Sequence, residues 1–111
     1  MDLEITTSGQ VTVVAPNADL DAAAAAKLRR TLRDLIDQGK TRLVVDLGRV
    51  RYIESAGLGE LVSAMKRARE AGGDVRLCDL QADVLRLFEM TWLNRAMLLY
   101  PTRQEAVASW A

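Results

Sequence analysis

The start of the chain has the pattern of apolar and polar residues that is typical of β-strands. Residues 3–7 alternate between the two classes, residues 11–15 are rich in valine, and the Ser-Gly-Gln segment at 8–10 has the composition of a tight turn. Pro16 stops the second strand because proline cannot donate a ladder hydrogen bond. We therefore expect these two strands to pair as a hairpin.

The spacing of apolar residues then changes to the three- and four-residue intervals of an α-helix. Asp19 or Asp21 can cap the first turn, the alanines at 22–26 have high helix propensity, and Gly39 is placed to end the helix. The apolar face of this helix contains Leu28, Leu32, Leu35 and Ile36.

The middle of the chain predicts a buried strand and a second helix. Residues 43–47 are almost all apolar, as expected for a strand that is covered on both faces. The connection 48–54 contains a short β-like piece at 50–53, and a helix follows from about 56 to 71, where a pair of glycines ends it. The apolar stripe of that helix is formed by Leu58, Leu61, Val62, Met65 and Ala68.

The last third continues the alternation of strands and helices. Residues 75–78 read as a strand, 82–89 as a helix, 97–100 as an edge strand and 104–110 as a terminal helix. The side chains expected to be buried by these two helices are Val84, Leu85, Phe88, Val107 and Trp110. Because no repeat or linker interrupts the chain, residues 1–111 are predicted to form one α/β domain, a mixed sheet with an N-terminal hairpin and about four helices.

The composition limits the functions open to the chain. A length of 111 residues with 27% charged residues suits one soluble domain. Fifteen basic and fifteen acidic residues cancel, so the chain lacks the basic surface needed by nucleic-acid binding or by attachment to an anionic membrane.

Candidate catalytic chemistry is sparse. Histidine, the commonest general base and zinc ligand, is absent, and Cys78 lies in an apolar run where a buried, unreactive thiol is expected. The N-terminus shows no signal peptide, and no apolar run reaches the roughly 20 residues that span a bilayer. We expect a cytoplasmic protein that is not an enzyme and needs no cofactor or metal.

The most informative segment is 52–59, where an extended stretch turns into a helix at Ser55. Gly57 and Gly59 fall in the first turn, although glycine costs about 1 kcal/mol relative to alanine in a helix. One interpretation is that Ser55 caps the helix, and the other is that its hydroxyl is exposed and modifiable. The two are compatible, because a helix start favours a phosphate, which would add about 1.5 to 2 negative charges beside Glu54.

Three segments together resemble the signatures of the STAS domain family. They are Ala-Asp-Leu-Asp at 18–21, Glu-Ser-Ala-Gly-Leu-Gly at 54–59 and Leu-Phe-Glu-Met at 87–90, in the family's order and spacing. The resemblance spans nearly the whole chain. It is greatest to the bacterial anti-sigma factor antagonists, which are stand-alone domains without a transmembrane part.

The resemblance implies a switch in transcription regulation. An unphosphorylated antagonist binds an anti-sigma factor that is also a serine kinase, which frees the sigma factor. The kinase then uses ATP to phosphorylate the antagonist and release it, and a serine phosphatase reverses this step. By position, Ser55 matches the phosphorylated serine, Asp21 an acidic residue near the kinase contact, and Gly57 the small residue that lets the partner approach.

The partner-binding surface that the resemblance implies contains Asp19, Asp21, Glu54, Ser55, Ala56, Gly57, Leu58 and Gly59. A monomer without a nucleic-acid partner and without direct membrane insertion is the default expectation.

Two features depart from the family's usual Asp-Ser-Ser-Gly motif. Glu54 keeps the negative charge but is one methylene longer than aspartate, and Ala56 leaves Ser55 as the only hydroxyl in the motif. Residues 91–93 occupy the positions where the family more often has a small residue and a glycine. Trp92 there is either half-buried packing or an added aromatic contact at a partner surface.

Two other kinds of site, for a metal or for a dinucleotide, have weaker support in the sequence. Asp19, Asp21 and Asp46 could suggest a metal site, but helix caps, partner contacts and a strand end account for them. The spacing of Gly57 and Gly59 imitates a dinucleotide fingerprint, with Val62 in place of the third glycine and Asp79 about 20 residues farther on.

A different function on the same fold is the main alternative. STAS-like domains also serve as phosphorylation-independent scaffolds and as subunits of membrane transport complexes such as lipid transporters. A scaffold would bind its partner equally well whether residue 55 is serine, alanine or aspartate.

Overall fold

The computed structural model describes residues 3–110, which form a five-stranded sheet flanked by helices. The strands are β1 (Leu3–Ser8), β2 (Val11–Pro16), β3 (Arg42–Asp46), β4 (Asp74–Cys78) and β5 (Leu99–Tyr100). The helices are α1 (Ala22–Asp37), α2 (Ser55–Glu70), α3 (Ala82–Met90) and α4 (Arg103–Ala108), and a 3-10 helix covers Leu93–Arg95. The predicted α/β class, the N-terminal hairpin and the number of α-helices are confirmed.

The sheet has the order β1-β2-β3-β4-β5 and is mixed. β1 pairs antiparallel with β2, while the pairs β2–β3, β3–β4 and β4–β5 are parallel. In the central pair, Arg42 lies opposite Asp74 and Asp46 opposite Cys78. The carboxyl ends of β3 and β4 therefore lie at the same end of the sheet, where the loop that leads to α2 begins.

A tight turn closes the β1–β2 hairpin, as predicted. Gly9 is the first of the two turn residues and has φ +60°, whereas Gln10 does not have a positive φ. This is the arrangement of a type II′ turn, in which the first central position needs glycine.

Both ends of α1 are fixed by local hydrogen bonds. Asp21 is the N-cap, and its Oδ1 accepts a hydrogen bond of 2.8 Å from the backbone N–H of Ala24. At the other end Gly39 has φ +84°, and its N–H donates to the carbonyl of Ile36 while Lys40 N–H donates to that of Leu35. This Schellman motif confirms Gly39 as the stop.

The main core lies between one face of the sheet and helices α1, α2 and α3. It includes Val14, Leu28, Leu32, Leu43, Val45, Leu61, Leu77, Val84 and Phe88, all of which are almost completely buried. The opposite face of the sheet carries a smaller cluster, in which Ala106 of α4 packs with Val11, Val13, Val44 and Cys78.

Three details of the predicted packing were wrong. Leu85 remains 37% exposed, because α3 buries only Val84 and Phe88. The last strand is two residues long, because Met97 turns into the core ahead of it. The terminal helix ends at Ala108 and not at Trp110, although Trp110 packs against the second cluster as expected.

Cys78 is buried on β4, as expected. Its burial, and then the nearby Asp46 carboxylate, raise the pKa of the thiol well above its ordinary value, so the sulfur is protonated and unreactive at neutral pH. Within residues 3–110, no helix is both long enough and apolar enough to cross a bilayer.

Candidate functional site

A single β-bridge holds the start of α2 beside the loop that precedes α1. Leu20 N–H donates to the carbonyl of Tyr52, and Glu54 N–H donates to the carbonyl of Leu20, both at 2.9 Å. Leu20 and Ile53 are thus parallel bridge partners, and both of their side chains are buried. The bridge places the acidic loop around Leu20 next to Ser55, although more than 30 residues separate them along the chain.

Asp19 fastens the connection 47–54 and does not cap α1. Its Oδ1 accepts a hydrogen bond of 2.8 Å from the backbone N–H of Arg51, and its Oδ2 lies 3.6 Å from Arg51 Nη2. The interpretation of Asp19 as a helix cap is therefore wrong, and Asp21 alone has that role. Because Arg51 lies beside Asp19, its positive charge partly offsets the carboxylate at this point.

Ser55 is exposed and is the first residue of α2. The N-cap is Glu54, whose backbone is extended and whose side chain makes no capping hydrogen bond. The expectation that Ser55 caps the helix was wrong by one residue. The first helical hydrogen bond is donated by Leu58 to the carbonyl of Glu54 at 3.2 Å, which leaves the N–H groups of residues 55–57 without an acceptor inside the helix.

These free N–H groups give the helix start a partial positive charge. A phosphate on the Ser55 hydroxyl would therefore gain stabilisation from the chain's own backbone.

Tyr52 also belongs to this site, although it was not among the site residues predicted from the sequence. The side chain is 52% exposed. The pKa of the hydroxyl is raised, first by partial desolvation, then by the Glu54 charge and, more weakly, by Asp21. The only sequence signal was an aromatic residue just before the serine, which does not reveal that its side chain points outward.

The two glycines of the first turn have different surroundings. Gly57 is buried, and a Cβ placed on it would lie 2.8 Å from Cγ2 of Ile53 and 3.4 Å from Cβ of Leu20. Gly59 is exposed, and a Cβ there would have no neighbour within 4 Å. The missing side chain of Gly57 makes room for the domain's own loop, and its expected role in the approach of a partner stays a prediction.

The exposed part of the region forms one continuous stretch around the hydroxyl, which we call the Ser55 surface. It consists of the exposed residues Asp21, Tyr52, Ser55, Ala56 and Gly59 and of the partly exposed Glu54. Leu58 is only partly exposed because it packs against the main core. The Ser55 surface thus combines two carboxylates, one aromatic ring and one exposed hydroxyl.

Asp46 lies apart from Asp19 and Asp21, the other two aspartates of the possible metal site. Its Oδ2 accepts a hydrogen bond of 2.8 Å from Nε of Arg103, and its Oδ1 accepts one of 2.9 Å from the N–H of Gly48. The ligand atoms grouped with it are those of Cys78 and Asp79, all within 4.8 Å of one another. The structure does not bring Asp19, Asp21 and Asp46 together as one metal site.

The imitation of a dinucleotide fingerprint has no matching geometry. Residues 47–54 separate β3 from α2, so the tight strand-to-helix turn of that motif is missing. Gly57 faces Ile53 inside the domain and offers no open backbone to a pyrophosphate.

Trp92 is 61% exposed, so the interpretation as half-buried packing was wrong. Its backbone is left-handed, with φ +64°, and the guanidinium carbon of Arg95 lies 4.1 Å from the centre of its ring. A large aromatic residue with a strained backbone and an exposed ring fits a contact surface better than a core position.

Comparisons with known proteins agree with this architecture. The profile of the family described as STAS domain matches residues 2–106. BtrV of Bordetella bronchiseptica is 33% identical over 81% of this chain and 78% of its own length. The anti-sigma-B factor antagonist of Bacillus subtilis is 36% identical over 68% of this chain and 69% of its own.

Solved structures show the same fold. A crystal structure of a Thermotoga maritima protein superposes with a TM-score of 0.92 at 25% identity, covering 96% of this chain and 92% of the other. The phosphorylated form of the Bacillus cell fate determinant SpoIIAA superposes with a TM-score of 0.77 at 20% identity, over 99% of this chain and all of the other, and supports the fold alone.

Proposed function

Because the chain belongs to the STAS domain family, we propose that it is an anti-sigma factor antagonist controlled by phosphorylation of Ser55. In the unmodified state the Ser55 surface binds an anti-sigma factor and so frees a sigma factor. Phosphorylation of the hydroxyl releases that partner. The chain itself contributes a binding surface and no catalytic group.

The observation that carries this proposal is the position of the Ser55 hydroxyl. It is exposed at the first residue of α2, beside N–H groups that no side chain caps. A kinase can reach such a hydroxyl, and the helix start stabilises the phosphate that results. Since Ala56 has no hydroxyl, Ser55 is the one acceptor that the motif offers.

Charge explains how the phosphate would end binding. The Ser55 surface already carries the carboxylates of Asp21 and Glu54, and a phosphoserine adds about 1.5 to 2 further negative charges. Free in water, these charges are solvated and screened. Against a docked partner they lose water and repel one another, and each loss of about 1.4 kcal/mol weakens binding roughly tenfold.

The partners follow from this mechanism. An anti-sigma factor with serine kinase activity and ATP supplies the phosphate, and a serine phosphatase removes it. Both act where sigma factors act, so we place the protein in the bacterial cytoplasm. No nucleic-acid contact is required of this chain, because its effect on transcription passes through the anti-sigma factor.

Phosphate mapping tests the proposal. The protein is incubated with its cognate anti-sigma factor kinase and ATP, and the modified residue is located by peptide mass spectrometry. We expect one phosphate, on Ser55, and none on a Ser55→Ala variant. Ser63→Ala is the matched control, because Ser63 is also exposed on α2 but lies two turns farther along, and it should accept phosphate normally.

The alternative outcomes are distinct. Phosphate on Thr91 or on no residue would overturn the proposed switch. Equal binding of the anti-sigma factor by the wild type, Ser55→Ala and Ser55→Asp would instead support a phosphorylation-independent scaffold.

A further inference from the structure

β1 is an open edge of the sheet. It pairs on one side with β2 over six consecutive residues, while its other side pairs with no strand among residues 3–110. All of its residues after Leu3 are exposed. The opposite edge, β5, is only two residues long, so β1 is the longer template for pairing with another strand.

The hairpin register determines which backbone groups point outward. In a two-residue hairpin the closing pair is hydrogen-bonded, and here that pair is Ser8 and Val11. Since hydrogen-bonded pairs alternate, Thr6 and Glu4 also direct their backbone groups toward β2. The N–H and C=O groups of Leu3, Ile5 and Thr7 consequently point away from the sheet.

The edge has few of the features that usually prevent strands from pairing. β1 contains no proline and no lysine, and its register with β2 has no bulge. Ile5, at the centre of the outward-pointing set, is 48% exposed although it is a large apolar residue. Glu4 is the only charged side chain in the strand.

We propose that two copies of the chain associate through antiparallel pairing of their β1 strands, with the two-fold axis at Ile5. In this register Ile5 lies opposite Ile5 of the second copy, and Leu3 lies opposite Thr7. All three outward-pointing residues then exchange their backbone hydrogen bonds, and the two sheets become one continuous sheet.

The occupant is a second copy because the edge is complementary to itself. The two Ile5 side chains cover each other's exposed surface, and the β-branched pair is favourable across two strands. Glu4 lies opposite Thr6 of the second copy, so no two carboxylates face each other. A two-fold axis through one strand requires this match of a patch with itself.

The pairing is independent of the proposed switch. No residue of β1 belongs to the Ser55 surface, and β2 lies between β1 and β3, after which the chain leads to Ser55. The contact is small and replaces the expected monomer with a weak dimer that forms as concentration rises.

Sedimentation velocity over a range of concentrations tests the proposal. The wild type should shift from monomer toward dimer, and Ile5→Lys should raise the dissociation constant at least roughly tenfold, because two ammonium groups would then face each other. Thr6→Lys is the matched control. It adds the same charge one residue away but opposite Glu4 of the second copy, so it should keep or tighten the dimer.

Cross-linking supplies a second measurement that does not depend on added charge. Ile5→Cys should form a covalent dimer with a short thiol-reactive linker, while Thr7→Cys, which faces Leu3, should not. Cys78 is buried and should give no background. A wild type that remains monomeric at every concentration, or equal behaviour of Ile5→Lys and Thr6→Lys with unchanged thermal unfolding, would overturn the proposal.

Discussion

Replacement of Gly57 by alanine tests the geometry that places Ser55 at the surface. The added Cβ would lie 2.8 Å from Cγ2 of Ile53, a branched side chain that is 4% exposed and held by the bridge to Leu20. Overpacking of this kind costs about 1 to 3 kcal/mol. Alanine regains at most about 1 kcal/mol of helix propensity. We therefore expect Gly57→Ala to lower the free energy of unfolding by up to about 2 kcal/mol.

Gly59→Ala is the matched control in the same turn. Because no atom lies within 4 Å of the added Cβ, only the helix propensity changes, and stability should rise by about 0.5 to 1 kcal/mol. The assay is equilibrium urea unfolding followed by circular dichroism, with unchanged m-values as the check on two-state behaviour. The two variants should differ by about 2 kcal/mol. If Gly57→Ala is as stable as Gly59→Ala, the close packing of α2 against residues 20 and 53 is incorrect.

Two further predictions concern stability away from the Ser55 surface. Asp74 is 5% exposed and accepts hydrogen bonds from Arg69 and Arg76, so Asp74→Ala should lower the free energy of unfolding by about 3 kcal/mol. Arg69→Ala removes only a partly exposed partner and should cost about 1 kcal/mol. A small effect of Asp74→Ala in urea unfolding would contradict this network of hydrogen bonds. Trp92→Gly removes an exposed ring from a left-handed backbone, so the melting temperature should stay the same or rise slightly. A decrease of about 3 kcal/mol in the free energy of unfolding, as for a core tryptophan, would show that the ring is packed.

Much of the fold could be predicted because local patterns agree with the final packing. The alternation in β1, the apolar run of β3 and the Schellman glycine after α1 are all signals contained within a few residues. The same holds for Ser55, whose position at a strand-like to helical transition is visible in the sequence.

What the sequence could not reveal depends on contacts between distant segments. The bridge between Leu20 and Ile53 holds Glu54 extended through its backbone N–H, directly before α2 begins at Ser55. It also gives Gly57 a buried neighbour on each side. The outward direction of Tyr52 follows from this bridge as well, so a local pattern does not contain it.

The most direct test of the proposed function is isothermal titration of the protein with its cognate anti-sigma factor, before and after phosphorylation of Ser55. We expect the phosphorylated protein, and Ser55→Asp, to bind at least roughly tenfold more weakly than the unmodified protein, a loss of about 1.4 kcal/mol or more. Ser55→Ala should bind normally and accept no phosphate. Equal affinity of the phosphorylated and unmodified proteins would contradict the proposed switch.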